Sequence, residues 1–307
     1  MQRFPTLVTP QKSGDENILD YIDENLKGIQ NTLLDIGAVL FRGFHVQTAS
    51  DLTEITRKFS DNLLRYHGGD SPRTQVEGSV YTSTEYPKEY EIALHNELSY
   101  SLNYPSLLYF LSVKPALKGG ETPLLDGRIL YQQLSPKLIA AFSQQPVKYI
   151  LNFHGGYGIG KSWQDAFDTD DKAEVENFLN NSNKDYLWKT DDALRIEESV
   201  PSIIQHPITG ETVFFSQAEQ WHPMALDEET RHAMYEIMDE EDFYHYVCFS
   251  DGSKIETSML EEIAQAKKKH KVTFSWETGD VLIIDNILCL HGREPFEGDR
   301  KVWVAMS

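Results

Sequence analysis

The chain alternates short apolar runs typical of strands with longer stretches typical of helices. Residues 16–35 predict a helix, and the apolar run GAVLFRGF (37–44) that follows predicts a strand. A second helix is predicted to begin at Asp51, a natural N-cap. Its apolar face would consist of Leu52, Ile55, Phe59 and Leu63. The N-terminal region is therefore expected to place two helices beside an apolar strand.

The middle and the end of the chain predict further strands. They are expected at 91–95 and at SLLYFLSV (106–113), and SIIQHPITGETVFF (202–215) predicts a hairpin because a Pro and Gly turn separates two apolar runs. The C-terminal sequence is the clearest, since turn residues separate VTFSW, VLIID, ILCLHGR and RKVWVAMS. It predicts three or four short strands.

Helices are expected to flank these strands. A short one should open at Ser135-Pro136, with the Ser as cap, and two longer ones are predicted at 227–242 and 258–270. The charge-rich stretch 155–200 is interpreted as a helical insertion or lid, and 225–270 as a second insertion. Many strands with helices in flanks and insertions indicate a mainly β fold, a β-sandwich or jelly roll. No linker is apparent, so a single domain over 1–307 is expected.

Composition and charge narrow the classes of function. The formal net charge of −20 argues against a nucleic-acid partner, since the basic run Lys267–Lys269 is too short to bind a phosphate backbone. No apolar stretch approaches the roughly 20 residues that span a bilayer, and no signal-peptide pattern opens the chain. Two cysteines, Cys248 and Cys289, give no disulfide framework. A cytoplasmic protein without a membrane partner is expected.

His95 and Glu97, in LHNELSY, are candidate metal ligands. Residues two apart on a strand point to the same side, so an imidazole and a carboxylate could reach one cation. Two histidines and one carboxylate hold non-haem Fe(II) and leave positions open for co-substrate and oxygen. With ten histidines and 48 acidic residues in 307, chance alone supplies about one or two such pairs, so the spacing by itself is weak.

A second histidine must complete such a site. His291 ends the apolar run ILCL, but His206 and His222 also lie beside strands, and spacing does not choose among the three. Nine residues after His291, Arg300 precedes the last strand. A guanidinium near this metal could grip the distal carboxylate of 2-oxoglutarate, the co-substrate of Fe(II) dioxygenases.

Four blocks together resemble the taurine dioxygenase / clavaminate synthase-like family of Fe(II)- and 2-oxoglutarate-dependent oxygenases. They are LHNELSY (94–100), KGGETPLLDGR (118–128), HPITGETVFF (206–215) and WETGDVLIIDNILCLHGREPFEGDRKVWV (276–304). They occur in the family's order and cover most of the chain. The resemblance implies a double-stranded β-helix, a jelly roll with the iron between its sheets.

The resemblance also implies residue roles. His95, Glu97 and His291 match the family's iron ligands. Thr122 and Arg300 match the Thr and Arg that hold the distal carboxylate of 2-oxoglutarate. Gly119 and Gly120 would allow a tight turn just before Thr122. The implied cofactors are Fe(II), 2-oxoglutarate and O2, and the products are succinate, CO2 and a hydroxylated substrate.

Two departures from the family pattern bear on the substrate. The acidic ligand is Glu97 where Asp is commoner, a choice associated with clavaminate synthase-like members and amino-acid hydroxylases. Val304 stands where taurine-oxidising members carry the Arg that holds the sulfonate, so a sulfonate substrate is disfavoured. The expected substrate is an amino acid or an amino-acid-derived intermediate of specialised metabolism, either free or tethered to a carrier protein.

Several alternatives stay open at the level of the sequence. The same scaffold could desaturate or cyclise its substrate, a His2Glu site could hold zinc for hydrolysis, or the chain could be a binding jelly roll without catalysis. Oligomeric state is undetermined. Candidate substrate contacts, each more often structural, are Asn96, Ser99, Tyr100, Arg128, Trp221 and His222.

Overall fold

The computed structural model describes residues 4–10, 17–64 and 73–307. The helices in these ranges are α1 (Ile18–Ile36), α2 (Ala49–Arg57), α3 (Gly127–Gln133), α4 (Pro136–Gln144), α5 (Trp163–Phe167), α6 (Lys172–Asn181), α7 (Ala218–Trp221), α8 (Glu228–Ile237) and α9 (Thr257–His270), with 3-10 turns at Pro223–Ala225 and Glu240–Asp242. Within the same ranges no helix has the length and apolar character needed to cross a membrane.

The strands of the described residues form one large sheet and several smaller ones. They are β1 (Thr6–Val8), β2 (Ala38–Phe41), β3 (Gln75–Glu77), β4 (Val80–Thr82), β5 (Ile92–His95), β6 (Leu107–Lys114), β7 (Lys118–Gly119), β8 (Leu124–Asp126), β9 (Val147–Phe153), β10 (Asp185–Trp188), β11 (Leu194–Val200), β12 (Ile203–Gln205), β13 (Thr212–Phe214), β14 (His245–Phe249), β15 (Val281–Asp285), β16 (Cys289–Arg293), β17 (Phe296–Glu297) and β18 (Lys301–Met306). The protein is therefore rich in sheet and decorated with helices.

The large sheet has the strand order β1-β2-β15-β6-β18-β4-β3 and is antiparallel except where β1 pairs with β2. Alternate side chains of its central strand β6 enter two different hydrophobic clusters. Tyr109 and Leu111 pack beneath α1 and α2, while Leu108 and Phe110 pack on the opposite side. Because both faces are covered, the strand reads as a continuous apolar run.

A three-stranded sheet, β5-β16-β8, lies over the second face of the large sheet. Cys289 of β16 and Leu124 of β8 share a cluster with Phe110. On the far side, Leu290 and Leu94 pack into a separate cluster with residues of β9 and β14. Strand β16 is thus buried on both faces, so the side chains that it places between the two sheets are held by packing.

The interpretation of 155–200 as a helical insertion is only half right. Helices α5 and α6 occur there, but β10 and β11 join β9 and β14 in a four-stranded sheet of order β10-β11-β9-β14. Leu194 and Ile196 of β11 face a cluster around Trp163, and Arg195 between them pairs with Glu197. Arg195 and Glu197, two of the charges that suggested a helical insertion, instead alternate along β11 with the buried Leu194 and Ile196. The 225–270 stretch likewise contains strand β14 between α8 and α9.

Predictions at several element ends are confirmed, whereas the start of α2 was wrong. Helix α4 opens at Ser135-Pro136, and the 202–215 hairpin is β12–β13. Helix α2, however, begins at Ala49 with Thr48 as its N-cap, and it ends at Arg57, before Phe59 and Leu63. Asp51 is the third helical residue, and its carboxylate accepts the backbone N–H of Thr48 at 2.9 Å. Thr48 and Asp51 form a reciprocal capping box that the sequence reading missed.

This capping box makes a testable prediction for α2. Thr48→Ala should lower the free energy of unfolding by about 1 kcal/mol, because the backbone N–H of Asp51 loses its side-chain acceptor. Urea unfolding would measure the change, with Glu54→Ala on the exposed side of the same helix as the matched control. If Asp51 were itself the N-cap, Thr48→Ala would change the free energy of unfolding no more than the control does.

Candidate metal centre and its two cavities

Strand pairing brings His95 and His291 together. They are direct partners in the β5–β16 ladder, and their ring centroids lie 4.4 Å apart. The Glu97 Oε2 lies 3.9 Å from the Nε2 of His95 and 3.8 Å from the Nε2 of His291. Two ligand bonds of roughly 2 Å each can bridge such separations, so one cation fits among the three atoms. Two imidazoles and one carboxylate are the donor set of non-haem Fe(II) sites.

Glu97 is positioned by a buried asparagine as well as by its spacing from His95. Strand β5 ends at His95, so Glu97 lies in the turn that follows, before Leu98 with its φ of 55°. The Asn286 side chain accepts the Glu97 N–H at 2.7 Å and donates to the Glu97 carbonyl at 3.0 Å. Asn286 also donates to the Pro105 carbonyl at 2.8 Å. This clamp fixes the backbone of the carboxylate ligand.

A hydrogen bond orients the His95 imidazole, and the surroundings keep both imidazoles neutral. The Ala93 carbonyl can only accept, so the His95 Nδ1 at 2.8 Å donates to it and leaves the Nε2 lone pair facing Glu97. Burial lowers the pKa of His95, although Glu97 opposes the change. Burial, His95 and Arg73 together hold the pKa of His291 well below its usual value. Neutral imidazole is the form that binds metal.

Arg73 forms a buried ion pair with the carboxylate ligand. Its Nη2 lies 2.8 Å from the Glu97 Oε2, and the two side chains are 4% and 6% exposed. A buried carboxylate requires a counter-charge, which Arg73 supplies in the absence of a cation. Neither Arg73 nor Asn286 carries a spacing signal in the sequence, so sequence reasoning missed both.

A first cavity opens beside the two histidines. Besides His95 and His291, it is lined by Arg73, Thr122, Arg293 and Arg300. Thr122 is buried and its Oγ1 accepts the Trp276 indole N–H at 3.0 Å, so its own hydroxyl proton is left to donate. The structure therefore brings the predicted pair Thr122 and Arg300 into one cavity beside the histidines.

Arg300 is a half-buried cation held by neutral groups. Its Nε donates to the Gly120 carbonyl at 2.9 Å, and its Nη1 lies 3.5 Å from the Ser83 Oγ. Burial and the nearby Arg293 lower the pKa of Arg300 to about 10. No carboxylate in the described ranges forms an ion pair with it. A guanidinium desolvated in this way is matched to an anionic ligand.

The turn before Thr122 requires glycine. Gly119 and Gly120 have φ angles of 73° and 71°, as the predicted tight turn demands. A Cβ on Gly120 would lie 2.9 Å from the Arg300 Cδ. The turn thus allows close approach of the guanidinium as well as a reversal of the chain.

A second cavity adjoins the first and shares Thr84, Ile92 and His95 with it. It is also lined by Glu97, Tyr100, Gln217, Gln220, Trp221 and His245. Two of the candidate substrate contacts, Tyr100 and Trp221, therefore lie here. The three candidate ligands thus line two adjoining cavities, one rich in guanidinium groups and one rich in aromatic rings and amides.

The structure decides among the three histidines that the sequence left open. His206 is buried away from the site, with its Nε2 3.0 Å from the Asp285 Oδ2, and it accepts backbone N–H groups of the hairpin turn. His222 caps a 3-10 turn by accepting the Met224 N–H. Arg128 pairs with Asp126 and Glu211 and lines neither cavity. Only His291 joins His95 and Glu97 among the described residues.

Comparison with known proteins identifies relatives over nearly the whole chain. A family model described as taurine catabolism dioxygenase TauD, TfdA family matches residues 8–306. The dapdiamide synthesis protein DdaC of Enterobacter agglomerans is 33% identical over 301 residues, covering 98% of this chain and 90% of that protein. A clavaminate synthase-like protein of Arabidopsis thaliana is 27% identical over 286 residues, covering 91% of this chain and 83% of that protein.

Solved structures share the fold. PvcB from Pseudomonas aeruginosa matches with a TM-score of 0.56 at 15% identity, covering 98% of this chain and 84% of that one. A taurine dioxygenase from Burkholderia xenovorans matches with a TM-score of 0.52 at 17% identity, covering 92% and 79%. A second structure of PvcB, described as an Fe, alpha-ketoglutarate dependent oxygenase from an isonitrile synthetic pathway, gives a TM-score of 0.54. At these identities the likeness concerns the fold alone.

The buried Arg73–Glu97 pair predicts an unusual response to metal. Arg73→Met should destabilise the metal-free protein by about 3 kcal/mol, because Glu97 loses its cation without leaving the interior. A divalent metal replaces that charge, so saturating Mn(II) should raise the melting temperature more in the variant than in the wild type.

Arg57→Met, the same chemical change at an exposed helical position, is the matched control. It should leave both the metal-free stability and the response to Mn(II) as they are in the wild type. An equal rise of melting temperature in Arg73→Met and wild type would contradict the counter-charge role.

Proposed function

The chain belongs to the taurine catabolism dioxygenase TauD/TfdA family, and we propose that it hydroxylates an unactivated C–H bond of an amino acid or amino-acid-derived intermediate of specialised metabolism. Family membership makes it a dioxygenase that uses Fe(II), 2-oxoglutarate and O2. With that class established, the zinc-hydrolase and non-catalytic alternatives fall away. The reaction outcome, the substrate and the residue roles are the proposed part.

The observation that carries the proposal is that the three ligand residues border two adjoining cavities of unlike chemistry. We assign iron binding to His95, Glu97 and His291. We assign the distal carboxylate of 2-oxoglutarate to Arg300 and Thr122, which offer a cation and a hydroxyl donor in the first cavity. The second cavity, next to the first at His95, is then left for the substrate.

When bound, Fe(II) and 2-oxoglutarate supply the oxidation, in which 2-oxoglutarate becomes succinate and CO2 and the two atoms of O2 enter succinate and the substrate. The protein residues bind, orient and exclude water. His95 and His291 present neutral Nε2 atoms, and Asn286 holds the Glu97 backbone. Phe110, whose ring lies 5.3 Å from that of His291, covers the metal side of the cavity with an apolar surface.

The jelly-roll topology and the single domain are part of the same proposal. The large sheet and the β5-β16-β8 sheet enclose the cluster of Phe110, Leu124 and Cys289, as expected for the two faces of a double-stranded β-helix. The hydrophobic clusters on either side continue into the helices without a linker in the described ranges. A cytoplasmic location stays a prediction from composition.

The proposed substrate class rests on relatives and on Val304. DdaC is named for dapdiamide synthesis and PvcB for an isonitrile synthetic pathway, both biosynthetic contexts. Val304 is 1% exposed and packs among apolar side chains, so this position offers no charge to a sulfonate. Hydroxylation is proposed over desaturation or cyclisation as the usual outcome for the family. Whether the substrate is free or tethered to a carrier protein is decided by assay.

An anaerobic titration tests the cofactor assignment. Adding 2-oxoglutarate to Fe(II)-loaded protein should produce the weak visible charge-transfer band of the chelated co-substrate. His95→Ala should show no band, because a ligand is lost. Arg300→Met should show the band only at roughly tenfold or more higher 2-oxoglutarate, since a charge-assisted pair is removed. Lys301→Met, an exposed cation one residue along, should titrate like the wild type.

Two results would contradict the assignment. A folded, iron-loaded wild type without a band would exclude the proposed site. An Arg300→Met titration that matches the Lys301→Met control would remove Arg300 from co-substrate binding and leave the iron ligands unaffected. Succinate release with a panel of free and carrier-bound amino acids would then identify the substrate.

A further inference from the structure

The second cavity presents two amide oxygens of fixed orientation. Gln217 and Gln220 lie three residues apart at helix α7, so both face the same side. The Gln217 Nε2 donates to the Asn96 carbonyl at 2.8 Å, and the Gln220 Nε2 donates to the Leu94 carbonyl at 2.9 Å. A backbone carbonyl can only accept, so these contacts determine which end of each amide is NH2. The second N–H of Gln220 points to the Glu219 Oε1 at 3.3 Å. In both amides the Oε1 atom is an acceptor that none of these contacts uses.

Aromatic rings stand beside these acceptors. The Trp221 ring lies 4.8 Å from Tyr100 and 4.4 Å from His245 between centroids. All three rings line the cavity, and Tyr100 keeps part of its surface exposed there. The negative face of an aromatic ring attracts cations, most strongly when water is excluded.

Cationic side chains of the described residues are directed elsewhere. The lining of the second cavity contains neither Lys nor Arg among the described residues. Lys267, which reaches α7 from α9, is 5% exposed and bonded to the Glu219 carboxylate and the Ser216 carbonyl at 2.5 and 3.2 Å. It stabilises α7 and is neutralised there. The described part of the cavity therefore offers acceptors and π surfaces.

We propose that the second cavity is a binding site for a protonated amine of the substrate. The ammonium would donate to the Oε1 atoms of Gln217 and Gln220 and lie against the Tyr100 ring. This rests on the proposed function, in which the second cavity holds the substrate. Neutral amide acceptors suit a site beside a metal, because a further carboxylate would compete as a ligand. Anchoring the amine fixes which carbon faces the metal centre at His95 and Glu97.

Small probes of one length test the chemistry directly. The wild-type enzyme, loaded with Fe(II) and 2-oxoglutarate without oxygen, is titrated calorimetrically with butylammonium, butyramide, butan-1-ol and butyrate. Butylammonium should bind saturably, and the three others should bind roughly tenfold or more weakly, because none carries a charge-assisted donor. Equal or tighter binding of butyramide or butyrate would overturn the proposal without any variant.

A variant of α7 tests whether butylammonium binds beside this helix. Gln220→Lys keeps an N–H donor for the Leu94 carbonyl but replaces the acceptor with a positive charge, so butylammonium binding should be lost. Gln144→Lys, an exposed position on α4 with the same change of charge, is the matched control and should bind like the wild type. Unchanged butylammonium affinity in Gln220→Lys would exclude this subsite.

Failure of this inference is distinguishable from failure of the proposed function. The charge-transfer band with 2-oxoglutarate reports the first cavity and the metal centre alone. A normal band together with no preference for the ammonium probe would overturn the amine site and leave the oxygenase proposal standing. A missing band in the wild type would remove the premise of both.

Discussion

A carboxylate buried between two sheets is the constraint on which the site depends. Glu97 is 4% exposed, and an isolated charge at such a depth costs several kcal/mol. The surrounding residues offset this cost. Arg73 supplies a counter-charge, and Asn286 hydrogen-bonds both the N–H and the carbonyl of Glu97. The two neutral imidazoles add no positive charge and leave room for a cation. Arg73 contacts the same Glu97 oxygen that faces both imidazoles, so metal affinity and protein stability are coupled through this carboxylate.

The site rests on strand β16, which carries His291, pairs with β5 at His95 and is buried on both faces. Strand β16 carries His291 toward the large sheet and Leu290 toward the cluster beneath β9 and β14. Guanidinium groups line one of the two adjoining cavities, and amides and aromatic rings line the other. A dianionic co-substrate and a cationic amine would each find complementary chemistry in a different cavity. Such segregation keeps the two ligands from exchanging places.

Sequence patterns predicted helices and strands well where the apolar residues followed a single pattern, helical or extended. Helix α1, strand β6 and the β12–β13 hairpin lie close to where their patterns placed them. The reading of 155–200 was incomplete, because the outward charges of β11 concealed its buried half. Helix α2 was misplaced since Thr48, not Asp51, satisfies the first turn. Both misses come from judging charged residues one by one, without the partners that folding supplies.

The sequence by itself determined the chemistry available: the ligand types at 95, 97 and 291, the paired glycines before Thr122, and Arg300 at the start of the last strand. Order along the chain carries this information because strand period and turn geometry are local. Tertiary structure alone decided that His206 lies away from the cluster, that Arg73 neutralises Glu97, and how the amides of Gln217 and Gln220 are oriented beside the second cavity. These depend on contacts between residues far apart in sequence, which only packing brings within hydrogen-bonding distance.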